Sequence, residues 1–190
     1  MMILLAVALA IAALAALLVW DAKKQSVGRL AVVGDFSLVG KPAPDFNLTD
    51  RDGNIYSPES LKGKNAVLFF NEGLICYPAC WDEMVALAKD IRFQENNTIV
   101  LSVVADSKDD WQKATNQVPD LKQARIIFDP GARTAQRYGM LNTKSSMHQG
   151  TLPGHSYVLI DRTGIVRFMF DDIKMGKNGN KLIEEIQKLN

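Results

Sequence analysis

Cys76 and Cys80 are the only two cysteines of this 190-residue chain, and they bracket the segment Cys-Tyr-Pro-Ala-Cys. Pro78 suits a first helical turn, which puts Cys76 at or just before a helix cap. Unpaired backbone N–H groups and the positive end of the helix dipole favour an anion there, and a thiolate is such an anion. This environment lowers a cysteine pKa from about 8.5 into the range of roughly 3.5 to 7.5. Cys80 lies four positions on, so both sulfurs can face one side and open and close as a disulfide. Two plainer readings stand beside this one. An inert structural disulfide would close a very short loop and gain little entropy. A tetrahedral zinc site needs four ligands, and only His148 and His155 could complete it.

The pair must be positioned by the elements around it. Residues 66–71 (Ala-Val-Leu-Phe-Phe-Asn) form a continuous apolar run with polar flanks, the pattern of a strand buried on both faces. From Trp81 to Ile91 the spacing turns helical, with Trp81, Met84, Val85, Leu87, Ala88 and Ile91 on one stripe. The cysteines therefore sit at a strand-to-helix junction. Elsewhere the patterns predict a hairpin (47–49 and 54–57 across Asp50-Arg51-Asp52-Gly53) and a short helix over 57–64 ending at Gly63. Strands over 98–104 and 126–128 alternate with helices over 109–117 and 130–138, the latter stopped by Gly139. A second hairpin (157–160 and 165–170) and a helix over 181–189 close the chain. Alternating strands and helices followed by a hairpin and helix indicate an α/β sandwich.

Composition places the chain among ordinary globular proteins: 47% apolar, 23% charged, formal net charge +1. Nothing in it suggests a nucleic-acid partner. Residues 1–20 contain only Met, Ile, Leu, Ala, Val and Trp, with Asp21 the first charge. At 1.5 Å per residue such a helix spans about 30 Å, the hydrocarbon thickness of a bilayer. An uncleaved transmembrane anchor is expected rather than a cleaved signal peptide, since no Lys or Arg precedes the run. Residues 21–38 read as a tether and 39–190 as one domain.

The order of elements carries a resemblance, together with Gly40-Lys41-Pro42-Ala43-Pro44-Asp45-Phe46, the Thr49-Asp50-Arg51-Asp52-Gly53 hairpin, Leu61-Lys62-Gly63-Lys64 and Leu159-Ile160-Asp161-Arg162-Thr163-Gly164. Residues 39–190 resemble the thioredoxin-fold redoxins of the alkyl hydroperoxide reductase and thiol-specific antioxidant superfamily. The resemblance implies a thioredoxin-like three-layer α/β sandwich and three candidate activities. A peroxiredoxin places its reactive cysteine in Thr-x-x-Cys with an arginine from a late strand. Here the residue three before Cys80 is Tyr77, the residue three before Cys76 is Gly73, and His155 stands where the arginine is expected. Cys80-Trp81-Asp82-Glu83 does resemble the Cys-x-x-Glu stretch of these enzymes. A membrane-tethered thiol-disulfide oxidoreductase has Cys-x-x-Cys before a Glu-Met helix and a cis-proline before a later strand. The spacing here is one residue longer, Glu83-Met84 matches, and Pro153 is the candidate cis-proline. A Sco-type chaperone binds copper through Cys-x-x-x-Cys and a distal histidine, which Cys76, Cys80 and His155 provide; two thiolates and an imidazole suit Cu(I).

The resemblance therefore implies a membrane-anchored redoxin working through Cys76 and Cys80. His155 and Glu83 assist, Tyr77, Trp81 and Pro153 shape the substrate groove, and no cofactor is needed. A protein disulfide or hydroperoxide is the expected substrate and a thiol reductant the expected partner. Copper delivery by Cys76, Cys80 and His155 is the alternative. Glu83 has a plainer reading too, because the helix dipole alone favours an acid in a first turn. Helix position favours Cys76 as the attacking thiol, whereas motif similarity favours Cys80. Tethered redoxins of this type work outside the cytoplasmic membrane, while Lys23, Lys24 and Arg29 after the apolar run would hold the domain inside.

Overall fold

The computed structural model describes residues 37–189, so the expected membrane helix over 1–20 and the tether before residue 37 lie outside the described residues. No described helix is long and apolar enough to cross a membrane.

The strand patterns are realised within a residue or two. A short hairpin pairs β1 (Leu48–Asp50) with β2 (Ile55–Tyr56), and the Asp50 carboxylate closes its turn by accepting from the N–H groups of Asp52 and Asn54, each at 2.9 Å. The apolar run becomes β3 (Asn65–Phe70), buried at every position. It pairs in parallel with β4 (Thr98–Val104), which pairs in parallel with β5 (Ile126–Phe128). On the other side of β3, β6 (Ser156–Ile160) runs antiparallel and pairs with β7 (Val166–Asp171). The sheet order is β2-β1-β5-β4-β3-β6-β7, which makes β3 an interior strand.

Because side chains alternate across a strand, β3 feeds two cores. Val67 and Phe69 face Met84, Leu87, Trp111, Leu182 and Ile186, whereas Ala66, Leu68 and Phe70 face Leu101, Ile127, Tyr138 and Val166. Each Val, Leu, Ile, Phe or Met side chain among them contributes about 1.5–3 kcal/mol by leaving water. Helix α1 (Ala79–Lys89) and the last helix cover the first face, and the segment bearing Ala132, Ala135 and Tyr138 covers the second, giving the expected three-layer α/β arrangement.

The helices depart more from the sequence reading than the strands do. The helix expected over 57–64 is a run of turns: Ser57 and Ser60 exchange the side-chain-to-backbone bonds of a helix start, but Gly63, at φ +84°, reverses the chain before a second helical turn can form. The helix expected to continue to Ile91 stops at Lys89. Asp90 takes extended angles (φ −80°, ψ 101°) and its carboxylate caps a separate helix α2 (Ile91–Glu95) by accepting the Arg92 N–H at 3.1 Å. Helix α3 (Lys108–Gln117) is close to expectation. The helix expected over 130–138 breaks at Gly131 and Ala132, both at positive φ, leaving a 3-10 turn and α4 (Arg133–Arg137). The buried Asp129 carboxylate satisfies the first N–H groups of α4 at Thr134 and Ala135, each 2.9 Å away. Helix α5 (Gly179–Gln187) lays Leu182, Ile183 and Ile186 on the first core.

Candidate active site

The chain leaves the buried strand β3 at Asn71, whose side-chain oxygen accepts the Gly73 N–H at 2.9 Å and turns the backbone. Gly73 has φ +67°, and a Cβ there would land on the Asp106 carboxylate. No other residue fits without displacing Asp106, whose Oδ2 accepts the Leu74 N–H and the Trp111 indole N–H, both at 3.1 Å. The Gly73 carbonyl in turn accepts the Cys76 N–H and the Trp81 indole N–H, both at 3.2 Å. This one glycine joins the β3 exit, the β4–α3 loop and both ends of the cysteine segment.

Cys76 and Cys80 form a disulfide, with their Cα atoms 5.4 Å apart. The sequence reading put Cys76 at the helix cap, and the structure corrects this. A 3-10 turn over Gly73–Ile75 takes up the Cys76 N–H, so α1 begins only at Ala79 and Cys80, not Cys76, lies in its first turn. Cys80 is sealed at 0% exposure, while Cys76 retains 4% and is flanked by Ile75 and Tyr77, which are 53% and 68% exposed.

His155 enters directly before β6 and brings Nδ1 to 3.5 Å from Cys80 Sγ. Its ring packs edge-on against Phe69 with centroids 4.7 Å apart, and its Nε2 lies 2.8 Å from the Tyr157 hydroxyl and 3.2 Å from the Gly176 carbonyl. Tyr157 Oη lies 2.9 Å from Glu83 Oε1, which also accepts the Asn178 N–H at 3.0 Å, whereas Glu83 Oε2 has no hydrogen-bond partner. Burial pushes the Glu83 carboxyl up to about 7, and burial pushes His155 down to about 4. At neutral pH the imidazole is uncharged, so one ring nitrogen donates and the other accepts.

The sequence-derived set Cys76, Cys80, His155 and Glu83 is thus brought together, Glu83 through Tyr157. Tyr77 and Trp81 stand at the site's outer edge with ring centroids 5.1 Å apart, and Trp81 backs onto Trp111 at 5.6 Å. Pro153 does not have the cis peptide expected of it. Among the described residues the cis bond is Tyr77–Pro78, between the cysteines. The chain before β6 is fixed by other means: the Leu152 N–H bonds to the His148 carbonyl at 3.0 Å, and Gly154 packs so closely on Thr143, Ser145 and Ser146 that no Cβ fits. His148, counted above as a possible zinc ligand, instead lies 3.2 Å from the buried Glu72 carboxylate. Donor atoms of Cys76, Cys80 and His155 all lie within 4.8 Å of one another, a set available to a soft cation only once the disulfide is open.

Sequence reasoning missed Tyr157, Asn178 and Asp106. Tyr157 had a weak signal, since it lies two positions after His155 where the chain enters a strand and alternate side chains share a face. Asp106 had none, because nothing local ties the end of β4 to Gly73. A concavity of about 640 Å³ lies toward the far end of α1 around Leu87, Lys89, Thr98 and Arg125. None of the four site residues lines it, so chemistry argues for the cysteine segment and against this groove.

Peroxiredoxin 1 of Picrophilus torridus is 28% identical over 163 residues, which cover 82% of this chain and 69% of that protein. Chloroplastic peroxiredoxin Q of Triticum aestivum is 28% identical over 142 residues, covering 70% of this chain and 58% of its own length. The crystal structure of Enterococcus faecalis AhpC superposes with a TM-score of 0.69 at 19% identity, covering 80% of this chain and 92% of that one, a likeness of the thioredoxin-like fold alone. The AhpC/TSA family model matches residues 39–169, a span holding both cysteines, Glu83, His155 and Tyr157. By that match the chain belongs to the AhpC/TSA family, as a peroxiredoxin-like thiol oxidoreductase.

Proposed function

We propose that the chain carries out thiol-disulfide exchange through Cys76 and Cys80, reducing a disulfide in its dithiol form and being restored by a thiol reductant. The observation that carries this reading is the internal disulfide with His155 Nδ1 3.5 Å from Cys80 Sγ. An incoming thiolate attacks the Cys76 sulfur at the protein edge, a mixed disulfide forms there, and the Cys80 sulfur leaves with the electron pair beside the imidazole. In the opposite direction Cys80 attacks the mixed disulfide on Cys76 and expels the partner's thiolate. Disulfide substrates are favoured over hydroperoxides because neither cysteine has the threonine of a Thr-x-x-Cys site: Tyr77 stands three positions before Cys80 and Gly73 three before Cys76, where Asp106 fills the space of any side chain. The relatives' names, peroxiredoxin 1 and peroxiredoxin Q, support hydroperoxide as a second substrate. The donor cluster within 4.8 Å supports Cu(I) binding by the reduced pair as a third use.

One comparison ranks these. The reduced full chain is given oxidised glutathione, hydrogen peroxide or Cu(I) side by side, with loss of free thiols or bound metal as readout. Reoxidation by the disulfide is expected to outrun reoxidation by peroxide. Faster peroxide consumption would reverse the order, and stoichiometric copper lost in His155→Ala would favour the chaperone.

The apolar run over 1–20 supports anchoring to a membrane. An anchored dithiol is most useful where disulfides form and persist, which supports an extracytoplasmic domain. Lys23, Lys24 and Arg29 weigh the other way. In intact cells treated first with a membrane-impermeant reductant, a membrane-impermeant thiol reagent is expected to label the opened Cys76–Cys80 pair; labelling only after lysis would move the domain to the cytoplasm.

A further inference from the structure

Four buried groups run in line from the disulfide into the protein: Cys80 Sγ, His155, the Tyr157 hydroxyl and Glu83, with successive separations of 3.5, 2.8 and 2.9 Å. None is more than 1% exposed. Tyr157 is held by stacking on Phe69 and Phe170, with centroids 4.8 and 6.0 Å away, so its hydroxyl stays aimed between the imidazole and the carboxyl. A neutral imidazole has two arrangements along this line. With the proton on Nε2, it donates to Tyr157 or Gly176, Tyr157 donates to an ionised Glu83, and bare Nδ1 can accept from a Cys80 thiol. With the proton on Nδ1, it faces the sulfur, Nε2 accepts from Tyr157, and the tyrosyl oxygen accepts from a protonated Glu83. The two arrangements differ by one proton handed along the line.

Resting on the exchange reading above, we infer that Glu83 and Tyr157, acting through His155, supply the proton that Cys80 takes up when the disulfide opens. A reductant thiolate bonds to Cys76 Sγ, the Sγ–Sγ bond breaks, and its electron pair stays on Cys80. The Nδ1 proton moves to that sulfur, Nε2 takes the Tyr157 proton, and Tyr157 takes the Glu83 proton. The products are a Cys80 thiol, an Nε2–H imidazole, an intact tyrosine and a Glu83 carboxylate; closing the disulfide reverses every transfer. Tyr157 and Glu83 touch no substrate and act as positioning and relay groups.

The charges around Glu83 suit the role. Burial dominates and holds the carboxyl near 7; Lys177 and the bonds from Asn178 and Tyr157 pull it down, while Asp172 pushes it up. Glu83 therefore carries a proton on the acid side of neutrality. Burial raises the tyrosine pKa as well, so Tyr157 gives up its proton only while receiving another.

The test is the rate at which dithiothreitol opens the disulfide of the full chain, followed by tryptophan fluorescence from pH 5 to 9 and expressed per reductant thiolate. The wild type is expected to show a limb that falls above pH about 7, where Glu83 loses its proton, and a solvent deuterium isotope effect at pH 6. Tyr157→Phe keeps the stacked ring and is expected to lower the rate at pH 6 by about tenfold or more and to flatten the limb. Glu83→Gln should do the same. An unchanged limb in either variant overturns the inference, whatever the rate, because a merely structural change would slow the reaction without moving its pH dependence. A wild type that opens with no limb or no isotope effect also overturns it while leaving the exchange reading intact. A wild type that dithiothreitol never opens removes both.

Discussion

Cys80→Ser is expected to halt turnover and accumulate a stable mixed disulfide on Cys76, while Cys76→Ser is expected to halt turnover with no adduct at all. The asymmetry follows from access. Cys76 keeps 4% exposure between the exposed Ile75 and Tyr77, whereas Cys80 is sealed at 0% beneath the Cys76 segment. A thiol approaching from solvent therefore meets the Cys76 sulfur first. Without Cys80 nothing nearby can expel the partner, and exchange should fall by about a thousandfold or more, as when one member of a coupled pair is removed. Stability should change far less, since a bridge spanning four positions contributes at most about 2 kcal/mol in the chain-entropy account. Intact mass after exposure to oxidised glutathione reads the result: a single glutathione adduct on Cys80→Ser and none on Cys76→Ser. The reverse pattern would make Cys80 the entry sulfur, as the Cys-x-x-Glu similarity suggests.

The strands were legible because burial on both faces leaves a strong mark. The run over 66–71, the run over 98–104 and the triplet Ile126-Ile127-Phe128 became β3, β4 and β5 with almost no shift. Helix ends were less legible because single side chains override propensity there. Asp90 caps a new helix rather than continuing α1, and Gly63 at positive φ cuts short the turn that Ser57 and Ser60 begin where a helix was expected. At the site, residue types marked the two cysteines, and the resemblance marked Glu83 and set His155 beside the cysteine pair as a Sco-type distal histidine. What the sequence could not convey was contact between segments remote from one another. Gly73 needs Asp106, 33 positions later, to explain why no side chain stands there. The first turn of α1 likewise moved past Cys76 because the 3-10 turn over Gly73–Ile75 claims its N–H, a choice set by the Asn71 and Asp106 contacts. Pro153 fails as a cis-proline for a similar reason, since its neighbour Gly154 is already locked against Thr143, Ser145 and Ser146.

Glu83→Gln is expected to turn a nearly level stretch of the stability–pH curve into a slope. In the wild type two buried groups oppose one another. Glu83 is raised from 4.5 to about 7 by burial, so folding holds its proton more tightly than the unfolded chain does. Its favourable effect is complete below pH about 4.5 and is lost as pH rises toward 7, at about 1.4 kcal/mol per unit, or about 3 kcal/mol in all. His155 is lowered from 6.5 to about 4, again by burial, so folding disfavours its proton. Its effect is complete above pH about 6.5 and is lost as pH falls toward 4, by a similar about 3 kcal/mol. Between pH 4.5 and 6.5 the two slopes cancel. Glutamine keeps an oxygen to accept from Tyr157 and the Asn178 N–H but does not titrate, which leaves the His155 slope uncovered. The variant should therefore gain stability as pH rises from 4 to 6.5. Relative to the wild type its standing should improve by about 3 kcal/mol between pH 4 and pH 8, a difference from which any fixed cost of the buried amide drops out. Urea unfolding of both full-length chains at the two pH values measures it. A difference that does not move with pH would mean that Glu83 ionises in the folded protein as readily as in the unfolded chain, and the proton available to Cys80 would have to come from elsewhere.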